Sequence, residues 1–247
     1  MIIRDIYDYL QEIAPRELSE EWDNVGLLVG SADSAVSRVL LALDMTPAVV
    51  REAREIGAQL IVSHHPVIFE PLRALAPDTA PCLLAQYGVA AICMHTNLDR
   101  AANGVNAALA KALGLRNTVF SPENYLMIGE PESPMNADDF ASLIKDRLHA
   151  PSVRYTGGRV TRAAVSSGAG GGGVELCKEY GCDAFVTGEI KHHHWLYAAE
   201  HGIAAFDAGH YPTENVVIAP LREMLTQQFP EVEFRISDRN PCPYRAV

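Results

Sequence analysis

Leu60-Ile61-Val62-Ser63-His64-His65-Pro66 is a short apolar run that stops at two adjacent histidines and a proline. Its apolar part has the length of a buried strand, and Pro66 keeps that strand from continuing. Side chains alternate along a strand, so two adjacent imidazoles serve one site only where the backbone turns. The carboxyl end of a strand, opening into a loop, is where α/β proteins place their chemistry. Taken alone, a His pair at a loop is more often a pair of surface or core histidines than a site. The segments on either side decide the matter.

Upstream, Arg38 to Asp44 is a second apolar strand, and Thr46-Pro47 opens a helix with Thr as N-cap and Pro at its first position. That helix ends near Gly57, so the His pair closes a strand-helix-strand unit, a parallel pair with a right-handed crossover. Further upstream, Ile2, Ile3, Ile6, Leu10 and Ile13 form an amphipathic stripe over 2–13, and a short strand follows the turn Trp22-Asp23-Asn24-Val25-Gly26. Asp23 and Asn24 are candidates for a site wall, against the reading of a plain turn. Downstream, a helix over 78–87 ends at Gly88, and the strand Val89 to Met94 runs into His95-Thr96-Asn97-Leu98-Asp99. A helix over 102–113 ends at Gly114. The pattern is a parallel sheet covered on both faces.

Residues 117–135 break it, with Pro122, Gly129, Pro131 and Pro134 close together, and a domain boundary or long connection is expected there. A helix over 136–148 with Asn136 as N-cap follows, then strands near 152–156 and 160–166 separated by the hairpin signal Gly157-Gly158. The run Gly168 to Gly173 leads into a helix to Tyr180, and a strand covers Asp183 to Thr187. Gly188-Glu189 opens a helix through Leu196. A strand over 203–207 ends at Gly209-His210-Tyr211-Pro212-Thr213-Glu214, and a helix from Pro212 to about Gln227 and a strand from Val232 to Ile236 complete the chain. The expected fold is α/β, two three-layer α/β/α domains with mainly parallel sheets. Residues 1–125 plus about 203–247 would form the first domain and about 126–202 the second, with the C-terminal segment returning to complete the first sheet.

Composition excludes several classes. At 247 residues, 48% of them hydrophobic, the chain has ample core for one large or two small domains. A formal net charge of -11 argues against nucleic-acid binding as the main task, because a phosphate backbone calls for a basic face. No stretch has the length of a membrane span, and the first residues lack the layout of a signal peptide, so a cytoplasmic protein without membrane partners is expected. The five cysteines, Cys82, Cys93, Cys177, Cys182 and Cys242, are scattered without a Cys-x-x-Cys and read as reduced, mostly buried thiols.

Three strands end alike: in His64-His65, in His95 with Asp99, and in His210 with Glu214. The carboxyl ends of parallel strands share one edge, where these groups can converge. Imidazoles with carboxylates suit a divalent transition metal. Five candidates, His64, His65, Asp99, His210 and Glu214, exceed the need of one tetrahedral site, and two metals about 3.5–4 Å apart would use them all. No Cys stands in these segments, which argues against a structural zinc site.

The segments Leu60 to Pro66, Met94 to Asp99, Thr187-Gly188-Glu189 and Gly209 to Glu214 together resemble the Nif-three-like dinuclear-metal proteins, also called GTP cyclohydrolase I type 2 homologues. The resemblance runs from about Ile6 to the last strand. It implies five metal ligands, here His64, His65, Asp99, His210 and Glu214, holding two divalent ions, with zinc, iron, manganese, cobalt or nickel all compatible. It also implies two α/β domains, a toroidal homohexamer as partner state, and the short form that lacks the third domain inserted in some relatives.

His95, four residues before Asp99, is expected to orient a ligand or the loop rather than to bind metal itself. Glu189 and His193 are expected to share a helical face as i and i+4, and the resemblance puts the Gly188-Glu189 segment near the metals, so either is a candidate general base or acid, against an ordinary solvated face. His192, His193 and His194 point in three directions on a helix and form no chelate. Gly168, Gly170 and Gly173 match Gly-x-Gly-x-x-Gly, with Glu189 about 20 residues on. A structural turn is favoured there over a phosphate cradle for a nucleotide, and a dinucleotide site ranks last.

The expected function is a metal-dependent hydrolase of GTP cyclohydrolase I type 2 kind. Its metals would bring a bridging water to near-neutral pKa for attack on carbon or phosphorus, with Glu189 or His193 moving the proton. With GTP as substrate, the resemblance puts the attack at C8 of the guanine, releasing formate. The rival from another class is a non-catalytic protein that stores, delivers or senses metal, or an assembly partner.

Overall fold

The computed structural model describes residues 1–121, 123 and 125–246. Contacts divide them into two compact units, one of Met1–Ala101 with Ile218–Pro241, the other of Ala102–Val217 with the residues from Cys242.

The first unit begins with α1 (Ile3–Ile13), whose Ile3, Ile6 and Leu10 are buried at helical spacing. Strand β1 (Gly26–Val29) and strand β2 (Arg38–Ala42) follow, then α2 (Pro47–Ile56). The α2 start is fixed as its sequence dictates: Thr46 Oγ1 accepts from the Val49 amide at 3.4 Å and Pro47 sits in the first turn. Strand β3 (Leu60–Ser63), α3 (Ala80–Tyr87), β4 (Ala90–Cys93) and a single turn, α4 (Thr96–Asp99), complete the run. The sheet order is β1-β4-β3-β2, all parallel except the edge strand β1. Leu40, Ala42, Ile61 and Ala91 pack on one face against Val49, Val50 and Ala53 of α2 and Leu83 and Leu84 of α3. The carboxyl ends of the three parallel strands β2, β3 and β4 therefore open on one edge of the sheet.

The second unit holds α5 (Val105–Ala112), β5 (Arg116–Ser121), β6 (Leu126–Glu130), β7 (Met135–Asn136), α6 (Ala137–Leu148), β8 (Arg154–Tyr155), β9 (Arg159–Val160), β10 (Ala163–Ser166), a 3-10 helix (Gly171–Leu176), β11 (Ala184–Thr187), α7 (His192–His201), β12 (Ala204–Asp207) and α8 (His210–Asn215). Its six-stranded sheet runs β5-β6-β10-β11-β12-β8. Alternating residues divide between two cores. Ala163, Val165, Val186 and Phe206 face Phe140 and Ile144 of α6, while Ala164, Phe185 and Ala205 face Val174, Cys177 and Ala198. The chain then returns to the first unit with α9 (Ile218–Gln228) and β13 (Glu233–Ile236), which pairs in parallel with β2 at the end of that sheet.

Several expectations are corrected. The described residues of 102–125, 203–217 and 242–246 belong with the second unit. Strand β12 pairs with β11 from Ala184↔Ala204 to Thr187↔Asp207, and Leu109 and Ala110 of α5 sit in the second unit's core. The second sheet is mixed, with two parallel and three antiparallel pairings. The broken segment 117–135 holds an antiparallel pair, β5 with β6; Pro122 lies outside the described residues. Gly157-Gly158 closes no hairpin, because β8 pairs with β12 and β9 with β7. The glycine run opens six residues of 3-10 helix instead of an α-helix to Tyr180, and the helix expected over 212–227 is two, α8 and α9. No helix among the described residues is long and apolar enough to cross a membrane.

Candidate functional site

In the first unit the end of β3 turns at once. The Ser63 hydroxyl donates to the His65 carbonyl at 2.8 Å, and the His65 amide donates to the Leu43 carbonyl at 3.0 Å. This local turn brings two adjacent side chains to one side, which a continuing strand forbids. The His64, His65 and His95 rings lie 5.0 to 5.6 Å apart by centroid, and one ring nitrogen from each falls within 4.8 Å of the others. Asp99, at the end of the α4 turn, brings Oδ1 to 3.8 Å from His64 Nε2. His64 is buried and Asp99 largely so.

The imidazoles are held by their Nδ1 atoms. His64 Nδ1 lies 2.8 Å from the Met94 carbonyl oxygen, His65 Nδ1 2.7 Å from Asp44 Oδ1, and His95 Nδ1 2.9 Å from Asp23 Oδ1. A carbonyl only accepts, so His64 carries a proton on Nδ1, with Nε2 on the side of Asp99. An ionised carboxylate imposes the same tautomer on His65 and His95. This is the arrangement of metal-ligating histidines, whose second N–H is anchored to a carboxylate or carbonyl. Asp44 is in turn fixed by Asn240, whose Nδ2 donates to Asp44 Oδ2 at 3.1 Å. Asp23 also accepts from the Thr96 amide at 3.0 Å and the Thr96 hydroxyl at 2.5 Å. Burial alone would push the Asp23 carboxyl up, but the hydrogen bonds from His95 and Thr96 outweigh it and hold it at about 2, below the usual 3.8.

In the second unit, α8 starts at His210 immediately after β12, and one helical turn puts Glu214 beside it. His210 Nε2 lies 3.0 Å from Glu214 Oε2, and His210 Nδ1 lies 2.7 Å from Glu189 Oε1. The anchoring pattern of the first unit thus recurs here. Gly168 makes room for it. At φ +57° it sits so close that a Cβ there would overlap Glu214 Oε1 and crowd His210 Nε2. The glycine run therefore packs against a carboxylate and an imidazole. The run follows β10 and leads to the parallel strand β11, but through a short 3-10 helix in place of the α-helix that the Rossmann template needs. A cavity of about 250 Å³ is lined by Glu189, Asp207, Gly209 and His210 together with Arg154 and Tyr244. Arg154 pairs with the buried Asp207 at 2.5 Å. Burial pushes the Tyr244 phenol up to about 12, helped by Cys242 and the Asp207 and Glu189 carboxylates.

The structure brings His64, His65, His95 and Asp99 together on the first unit, and His210, Glu214 and Glu189 on the second. It separates the expected Glu189–His193 pair. Helix α7 begins at His192, so Glu189 precedes it and the two do not share a helical face; His193 is exposed and its ring packs on that of His194 at 4.1 Å. Asp44 was absent from the sequence-based candidates, although it stands just past a strand beside β3, a position that marks it once the strands are known to be parallel.

A family model described as Duf34/NIF3 (NGG1p interacting factor 3) matches residues 1–243. A Clostridium perfringens protein named "GTP cyclohydrolase 1 type 2 homolog" is 30% identical over 265 positions, covering all of both chains. Staphylococcus aureus relatives of the same name are 28% identical over 367 positions, and so carry residues this 247-residue chain lacks. Among solved structures, a Staphylococcus aureus protein superposes with a TM-score of 0.94 at 32% identity, covering 100% of this chain and 99% of that one. Reduced HcgD from Methanocaldococcus jannaschii gives 0.82 at 26%, with 96% and 98% covered.

Proposed function

The chain belongs to the Duf34/NIF3 family, and on that premise we propose that it is a metal-dependent hydrolase using divalent ions, with His64, His65 and Asp99 as the ligand set of the first unit and His210 and Glu214 as that of the second. One observation carries this reading. Each of His64, His65 and His210 is anchored through Nδ1 by a carbonyl or carboxylate, which leaves Nε2 as the donor atom. The set also fits by chemistry, since imidazole and carboxylate without thiolate suit borderline divalent metals and exclude a closed cysteine site. Bound ions of this kind supply Lewis acidity and a water acidic enough to deprotonate near neutral pH.

The chain's own residues do the rest. Asp44 and the Met94 carbonyl keep the His65 and His64 rings in place, and Asp23 does so for His95. Glu189 fixes His210 with Oε1 and lines the cavity, and its carboxylate is the group we assign to accept a proton. GTP is the substrate to try first, on the strength of the relatives' name alone.

The test is the metal-to-protein ratio by elemental analysis, on gently purified wild type beside Asp99→Ala. About two transition-metal ions per chain, falling sharply in the variant, is the expected result. Metal-free protein after reconstitution would end the proposal. Full loading with no turnover of GTP or any other tested substrate would leave a storage or delivery protein.

A further inference from the structure

On the first unit, beside the imidazole cluster, two aromatic rings stand in solvent. Trp22 is 61% exposed and Phe69 49% exposed. Their centroids are 5.9 Å apart at an interplanar angle of 63°, and each meets the His95 ring edge-on at 6.3 Å. The two rings form a corner, one wall offering a face and the other an edge, with His95 linking it to His64 and His65.

The corner is rigid at its base. Asn24 Nδ2 donates to the Ile68 carbonyl at 2.6 Å, tying the Trp22 loop to the Phe69 loop. Asp23, next to Trp22, is inaccessible and accepts from His95, Thr96 and the Asn24 amide. Two large apolar side chains are thus held in water by a buried polar network, where a mobile loop would let them fold away. An exposed apolar patch beside a candidate site reads as a binding surface. Aromatic corners select flat rings, through stacking on one wall and edge-to-face contact on the other. Charge narrows the class. The exposed Glu21 precedes Trp22 and the exposed Glu70 follows Phe69, while Glu20 is paired with Arg100, so this surface disfavours phosphate and favours the uncharged part of a ligand.

We propose that Trp22 and Phe69 form a stacking platform for a planar, uncharged heteroaromatic ring, such as a purine base, beside the His64–His65–His95 cluster. This rests on the metal-hydrolase reading for its purpose, since it names the substrate class that site would take. The platform is nonetheless tested without turnover.

The chain has two tryptophans, so Trp195→Phe leaves Trp22 as the sole tryptophan emitter. Guanosine is titrated against that chain, metal-free and metal-loaded, with ribose as control. The expected result is saturable quenching of Trp22 by guanosine and none by ribose. Phe69→Ala should weaken guanosine about tenfold, about 1.4 kcal/mol. Trp22→Leu, read by equilibrium dialysis, should weaken it at least as much. Both residues are exposed, so both variants should fold. Absence of saturable quenching, or guanosine affinity unchanged in both variants, overturns the proposal. So does a fall in particle mass with affinity unchanged, which would assign the patch to a second copy of the chain. Guanosine binding without any metal uptake would sink the metal reading and leave the platform standing; full metal uptake without guanosine binding would do the reverse.

Discussion

Replacing Asp23 by Asn gives a sharp test of how the first unit is built. The Asp23 side chain is inaccessible to solvent and accepts from His95, the Thr96 amide and hydroxyl and the Asn24 amide. Its carboxyl is held at about 2 against an ordinary 3.8. A carboxylate with a depressed folded pKa stabilises the fold above its unfolded pKa, and that stability is lost as the pH falls through the folded value. The gap of about 1.8 units is worth about 2.4 kcal/mol at neutral pH, at about 1.36 kcal/mol per unit. Only the side chain is inaccessible and the residue as a whole is half-buried, so solvent screening makes this figure an upper bound. The same linkage leaves nearly all of this at pH 5 and about 1.3 kcal/mol at pH 3. Asn keeps an acceptor and cannot ionise, so the stability difference between wild type and Asp23→Asn should shrink by up to about 1 kcal/mol from pH 5 to pH 3. Urea unfolding of the metal-free chains, followed through Trp22 emission in a Trp195→Phe background, measures that difference while the other acidic groups cancel. A difference constant over this range would show that Asp23 is not the strongly bonded carboxylate of the structure.

Asp44→Ala should lower metal affinity 10- to 100-fold in chelator competition by freeing the His65 ring, with the fold intact by circular dichroism. Gly168→Ala should cost about 1 kcal/mol or more in backbone strain at φ +57°. It should also reduce metal loading by displacing Glu214, as elemental analysis would show; normal loading would contradict the packing at Gly168. Of the five thiols, Cys82 and Cys242 should react with a disulfide reagent in the native chain, and Cys93, Cys177 and Cys182 only after unfolding. Burial raises all three of those thiols, so their thiolates are scarce at neutral pH.

The first unit was legible because each of its signals is local. The Thr46-Pro47 start, the Gly57 and Gly88 stops and the apolar runs at 39–42, 60–63 and 90–93 lie within one element each, and the structure places them within a residue or two. The second unit was misread where pairing partners are distant. Gly157-Gly158 looks like a hairpin until β12 takes β8 and β7 takes β9. Strand β12 was expected in the first unit because its end matches the endings of β3 and β4, yet its register with β11 decides its sheet. At the site, His64, His65, His95 and Asp99 were legible as a motif at the ends of adjacent strands. Glu189 was legible as a residue but not in its setting, because a helix assumed to start at Gly188 starts at His192.

The anchoring acceptors explain why this second layer hid from sequence. The Met94 carbonyl, Asp44, Asp23 and Glu189 come from four separate segments, each 21 to 72 residues from the histidine it holds. What they share is position, at or just past a strand end or in a loop beside one, which only the sheet order reveals. The arrangement has an energetic consequence. Each anchoring hydrogen bond forms when the unit folds and fixes a ring and its tautomer without needing an ion. Fixing donors in advance cuts the ordering cost of binding. A structural zinc module works the other way, with metal binding supplying the folding free energy of a chain that has little core. Here the sheets and their cores already hold the donors in place. A metal bound here would therefore be free to serve chemistry or transfer, and turnover measured on the loaded protein separates the two.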